Sequence, residues 1–317
     1  MDIGATLDFA KTYFALGPDG RRWARARRKA DARSPNPLKI PLFDNADERR
    51  DLLRKLVVCD QAFQVCIPAA LPPDFVRSRD DLYARMVPFA LVNLLVRCSL
   101  LDAYGIAYDR TAELRLAMLM LFQREWNDVG DTHDRITALN AADAEPEPEP
   151  AFFLLWHISQ HGQKIAPIKG HPDFADLYAY VRQRLPQIDP KDTSEPLFER
   201  VAAFSLKTGY ATMFPRIPER LGRVIPLFAR WFYSLDELSD YRRDKAAAKP
   251  TYFSTLRDPI AEMRRATAAC EDLIRAEAPA PERVLSFMRY LAEEIVKAHE
   301  TGRDLEREVF GGSPASS

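Results

Sequence analysis

Asp236, Asp240 and Asp244 recur every four residues in LDELSDYRRDKAAAKPTYFS, residues 235–254. On a helix of 3.6 residues per turn, that interval lays three carboxylates along one face. Like charges so placed repel by a few tenths of a kcal/mol per pair, and a bound cation offsets the repulsion. Carboxylate oxygens suit a hard ion such as Mg²⁺, which fills its remaining positions with water and substrate phosphate oxygens. A second acidic cluster, Asn127, Asp128, Asp131 and Asp134 in WNDVGDTHDR, lies far upstream. Asp128 and Asp131 share a helical face with Arg135 close by, whereas Asp134 is turned from Asp128 by about a third of a turn. Two such helices facing each other hold divalent ions around a diphosphate.

Positioning such a pair requires long helices, and composition allows a sizeable core. The 317 residues are 47% hydrophobic and 29% charged. The 45 basic and 46 acidic side chains leave a net charge of −1, so no global field draws nucleic acid or an anionic membrane. Any specificity must come from local patches. Cys59, Cys66, Cys98 and Cys270 have neither zinc-site spacing nor disulfide density and read as reduced and buried. The first residues lack the basic start and apolar core of a signal peptide, and the expected location is cytoplasmic. The most apolar run, Leu82 to Leu101, is interrupted by Arg85, Pro88, Asn93 and Arg97, so it is expected to be a buried core helix, not a transmembrane segment.

Helical periodicity recurs along the chain, punctuated by 24 prolines, and strand signals are nearly absent. The expected fold is all-α: a single-domain bundle of about ten helices around a central space. Residues 1–40 form a basic helix and connector, 41–310 the helical domain, and 311–317 a disordered tail. The basic run Arg21, Arg22, Arg25, Arg27, Arg28 and Lys29 reads as a solvated helix face, the alternative being a phosphate-gripping arm. Helices are expected from Asp47 to the prolines at 68–73, over Asp80–Tyr104, and over Thr111–Leu139, whose end carries the upstream acids. The 141–150 stretch AADAEPEPEP is a loop. Further helices are expected over 151–163, 172–185 and 194–214. Another runs from Pro226 into the acidic triplet, and the last two span Pro259–Ala276 and Pro281–Val309. His157 and His161, at i and i+4, lack the further ligands a transition metal needs and read as structural.

Four segments in order resemble the trans-isoprenyl diphosphate synthases and the related class I terpene cyclases. NDVGD with Arg135 resembles their first aspartate-rich motif, DELSDYRRD the second, SLKTGY (205–210) the lysine-bearing segment between them, and KPTYFSTL (249–256) the segment that follows. The resemblance, spanning about residues 111–260, implies the class I isoprenoid synthase fold and Mg²⁺-dependent ionisation of an allylic prenyl diphosphate. It implies three Mg²⁺ ions on Asp128, Asp131, Asp236 and Asp240, with Asp244 assisting. Lys207, Arg135, Arg243, Lys245, Lys249 and Tyr252 would meet the diphosphate. The carbocation would be housed by Phe122, Trp126, Phe204, Tyr210 and Phe232, since cations are stabilised by aromatic faces in a dry cavity.

The pattern departs from the elongating synthases. Asn127 and Glu237 stand where those enzymes have aspartates, and the glycine-lysine-arginine motif that holds isopentenyl diphosphate is missing at its usual distance, Gly20–Arg22 lying too far upstream. Oxygen ligands at 0, +4 and +8 instead resemble the second metal motif of terpene cyclases. The expected activity is cyclisation or quenching of the carbocation with release of diphosphate. The expected partner is a prenyl diphosphate between geranyl and geranylgeranyl in length, with no nucleic acid and, by the resemblance, a homodimer. The alternatives are a chain-elongating synthase and a catalytically silent subunit that tunes an active partner.

Overall fold

The computed structural model describes residues 10–31, 46–67, 69–70, 78–121, 124, 206–207, 209–214, 216–246 and 258–303. All of the regular structure among them is helical. In chain order the helices are α1 (10–15), α2 (Pro18–Asp31), α3 (Ala46–Cys66), α4 (Arg79–Ala103), α5 (110–121), α6 (206–213), α7 (Val224–Ala246), α8 (Pro259–Glu277) and α9 (Glu282–Thr301). A single 3₁₀ turn, Glu219–Leu221, leads into α7.

Local chemistry sets several of these boundaries. The Ser78 hydroxyl accepts from Asp81 N at 3.1 Å, and Asp80 and Asp81 sit at the positive end of α4. That helix stops where Gly105 adopts φ +62 and Ile106 N reaches back to Leu101 O at 2.9 Å, the six-to-one bond that satisfies an otherwise orphaned carbonyl. Asp258 caps α8, accepting from Ala261 N at 2.9 Å, and Pro259 takes the first helical position. The last helix is shorter than the Pro281–Val309 expected from its periodicity. Gly302, at φ +68, terminates it in a left-handed cap, with Arg303 N bonded to Ala298 O at 2.9 Å. Likewise α7 begins at Val224, two residues before Pro226, which sits in the first turn where a missing N–H costs nothing.

The helix α4 runs through the core, as its apolar sequence suggests. It is long and apolar enough to cross a membrane, yet most of its surface is covered by protein, and Asn93, Arg97 and Ser99 are buried with it. α2, α3 and α9 pack on it, while α7 lies against α8 and α9. One continuous apolar core joins these layers, and all four cysteines are buried within it as free thiols.

Buried charges tie the two halves together. Glu113 on α5 is wholly buried and receives both Arg54 nitrogens at 2.8 and 2.7 Å and Lys55 Nζ at 3.2 Å. Lys55, only 1% exposed, also donates to Asp51 at 2.9 Å. Arg283 at the start of α9 reaches Asp51 at 2.8 Å and Asp102 at 3.1 Å, joining α9 to α3 and α4. Burial alone would push the Asp51 carboxyl up, but Arg283, Lys55 and Arg54 outweigh it and hold it down at about 2.

Candidate functional site

The helix α7 carries the acidic triplet and is built in two parts. Its first half is apolar and buried: Val224, Ile225, Phe228, Trp231, Leu235 and Leu238 recur at helical spacing and pack toward α8 and α9. Burial ends after Leu238: Ser239, Arg242 and Lys245, which continue the line of this stripe at helical spacing, are exposed, as is Asp236. Asp240 and Asp244 follow Asp236 at one-turn intervals on the same continuous helix, so the register assumed from sequence holds. The side chains of Asp240, Arg243 and Asp244 lie outside the described residues. Lys245 Nζ sits 5.6 Å from the Tyr241 ring centroid.

Neighbouring helices anchor α7. Arg230 donates to Glu262 on α8 at 2.5 Å, and Arg265 donates to the other Glu262 oxygen at 2.6 Å. Burial pushes this carboxyl up, but the two arginines prevail and lower it. Near the acidic half, the Tyr241 ring lies 5.8 Å from that of His299 on α9. Burial and the Arg242 charge both disfavour the protonated imidazole there.

The lysine-bearing segment forms α6. Lys207 is exposed, while Leu206, Gly209, Tyr210 and Met213 turn inward. Its inward face meets Arg97, a residue that sequence reasoning had treated only as an interruption of an apolar run. Arg97 is 2% exposed, and its Nη1 donates to Leu206 O at 3.3 Å. In return the Tyr210 hydroxyl donates to Arg97 O at 3.2 Å. A Cβ on Gly209 would lie 2.2 Å from Arg97 Nη1, so only glycine lets α6 approach the guanidinium. Burial lowers the Arg97 pKa, and the Tyr233 and Tyr210 hydroxyls, both within electrostatic reach, oppose that shift. Tyr233 stands one turn before Asp236. Arg97 therefore bonds the helix bearing Lys207 and lies within electrostatic reach of Tyr233 on the helix bearing Asp236.

The aromatic residues divide. Tyr210 is wholly buried with its hydroxyl on backbone, and its pKa is raised by burial. Phe232 is half-buried, 6.1 Å from Trp231, which in turn lies 5.0 Å from Phe228. Trp231 Nε1 and Ser234 Oγ, three residues apart and both fully buried, have no hydrogen-bond partner among the described residues. Buried donors left open are uncommon and costly.

Asp128, Asp131, Arg135, Phe122, Trp126, Phe204, Lys249 and Tyr252 lie outside the described residues, as do His157 and His161. No three Asp, Glu, His or Cys side chains converge as a metal-binding set among the described residues. The groove of about 350 Å³ between α8 and α9, lined by residues such as Met263, Thr267, Ala292 and Lys297, takes none of its lining from α7. No family model, curated protein or solved structure matches the chain.

Proposed function

We propose that this protein is a Mg²⁺-dependent class I terpene synthase. It would ionise an allylic prenyl diphosphate and close or quench the resulting carbocation. On this reading its helices form a class I isoprenoid synthase fold. The observation that carries the proposal is that α7 places Asp236, Asp240 and Asp244 at one-turn intervals, with Arg97, which bonds the segment bearing Lys207, within electrostatic reach of Tyr233 on the same helix.

The donor set fits a hard divalent cation. Carboxylates offer oxygen ligands, Asp236 is exposed at the point where α7 leaves the core, and no thiol or imidazole competes on this helix. When bound, Mg²⁺ supplies positive charge that stabilises the departing diphosphate. Asp236, Asp240 and Asp244 would hold it, together with Asp128 and Asp131. Lys207, Arg243, Lys245 and Lys249, with Arg135, would neutralise the diphosphate oxygens as the carbon–oxygen bond breaks, the stage at which fixed charges contribute most. Phe232, half-buried on α7, would contribute an apolar wall for the cation.

Incubation of the purified protein with Mg²⁺ and geranyl, farnesyl or geranylgeranyl diphosphate, each with and without isopentenyl diphosphate, tests the reading. A hydrocarbon or alcohol from one allylic substrate alone is the expected product. A longer diphosphate formed only with isopentenyl diphosphate would replace cyclisation with chain elongation. No turnover of any substrate would favour the non-catalytic subunit.

A further inference from the structure

The basic N-terminal segment is not used by the proposed chemistry, yet it is firmly placed. Leu16 is buried between α1 and α2, Gly17 N donates to Asp60 Oδ2 at 2.8 Å, and Gly20 packs so closely that a Cβ would meet Asp60 Oδ1 at 2.4 Å. Trp23 lies 6.0 Å from the Tyr83 ring of α4. These contacts fix one side of the segment to the body of the protein.

The other side is solvent-facing and of mixed character. Lys11, Ala15, Pro18, Arg22 and Arg25 are exposed, and Phe14, at 78%, is the most exposed large apolar side chain among the described residues. Arg22 is engaged by Asp80 at 2.9 Å and by Asp19. Arg25 donates only to the Arg21 carbonyl, at 3.3 Å, and has no carboxylate partner among the described residues. The helix then continues through Arg27, Arg28 and Lys29. Six cations stand on α2 against Asp19 and Asp31, a strong local excess in a chain whose net charge is −1.

We infer that this face docks reversibly on an anionic lipid surface. Phe14, with the apolar Ala15 and Pro18 beside it, would enter the headgroup boundary while the cations of α2 meet lipid phosphates and carboxylates. An apolar anchor combined with a basic patch supplies the two signals that peripheral attachment needs, where either alone is marginal. The inference is independent of the proposed catalysis and survives its failure.

Co-sedimentation of the full-length protein with vesicles of phosphatidylcholine alone, or mixed with phosphatidylserine, tests it. Binding is expected only to the anionic vesicles, and it should vanish at about 1 M salt, where the screening length is about 3 Å. The triple variant Arg25→Gln, Arg28→Gln, Lys29→Gln, which keeps good helix formers, should bind roughly a hundredfold more weakly. Phe14→Ser, at a site with no buried contact to lose, should weaken binding about tenfold or more. Circular dichroism confirms that both variants fold. Equal binding to neutral and anionic vesicles, or no binding to either, would overturn the inference. Unchanged vesicle binding by either variant would also overturn it. So would tighter binding to a single-stranded RNA oligonucleotide than to anionic vesicles, which would assign the face to nucleic acid.

Discussion

Gly209→Ala adds one methyl group at the contact between α6 and Arg97. The new carbon would lie 2.2 Å from Nη1, 3.1 Å from Cζ and 3.3 Å from Leu116 Cδ1. Because Arg97 is 2% exposed, its guanidinium cannot swing into water to make room. Forcing an extra methyl group into a packed site costs about 1–3 kcal/mol. Disturbing the Arg97 bond to Leu206 O adds roughly 1.5–3 kcal/mol, since the donor is charged. Alanine recovers about 1 kcal/mol of helix propensity over glycine. The net expectation is a loss of about 1.5–5 kcal/mol, read by urea denaturation as a lower midpoint at unchanged slope. The diagnostic step is the same change in an Arg97→Met background. With the guanidinium gone, only the 3.3 Å approach to Leu116 Cδ1 is left to set against the propensity gain, so Gly209→Ala should fall to within about 1 kcal/mol of neutral. Equal cost in both backgrounds, or a single variant within about 0.5 kcal/mol of the parent, would show that Arg97 does not set the position of α6.

Two further outcomes follow from the buried charges. Asp51 has a folded-state pKa of about 2, below its ordinary value of 3.8, so its stabilisation is fully present above pH 4 and fades as pH falls toward 2. At neutral pH this amounts to about 2 kcal/mol, and the stability gap between the parent and Asp51→Asn should narrow across that interval in urea titrations; a gap constant from pH 5 to pH 2 would contradict the pairing. Glu113→Gln leaves Arg54 and the buried Lys55 without their shared counter-charge and should cost about 3–5 kcal/mol by thermal or urea unfolding. A loss below about 1 kcal/mol would mean that Asp51 alone neutralises Lys55.

The all-helical character of the described residues could be read from the chain because apolar residues recur at helical spacing and few strand-like alternations compete. The buried character of α4 was equally readable, from an apolar run interrupted by Arg97, Asn93 and Pro88 that suits a protein core better than lipid. The helical register of Asp236, Asp240 and Asp244 was plain because four-residue spacing tolerates an error of a residue or two in where a helix begins. Helix ends were read less well. Periodicity carried α9 beyond Gly302, yet the left-handed cap at that glycine outweighs the apolar pattern that continues after it. The partner of Arg97 was unreadable, since the contact joins residues 97 and 206 across more than a hundred positions. The open donors on Trp231 and Ser234 were equally hidden, because a polar residue in an apolar helix does not announce whether its hydrogen bond is met.

The central claim is that the aspartates of α7 support ionisation of a prenyl diphosphate, and diphosphate release measured for the parent and for Asp236→Ala tests it most directly. Asp236 is exposed, so its replacement should leave the helical fold intact. With Mg²⁺ and the allylic substrate that the parent turns over best, release by Asp236→Ala is expected to fall by roughly a hundredfold or more. Release at the parental rate by the variant, or none from any allylic diphosphate by the parent, would contradict the assignment.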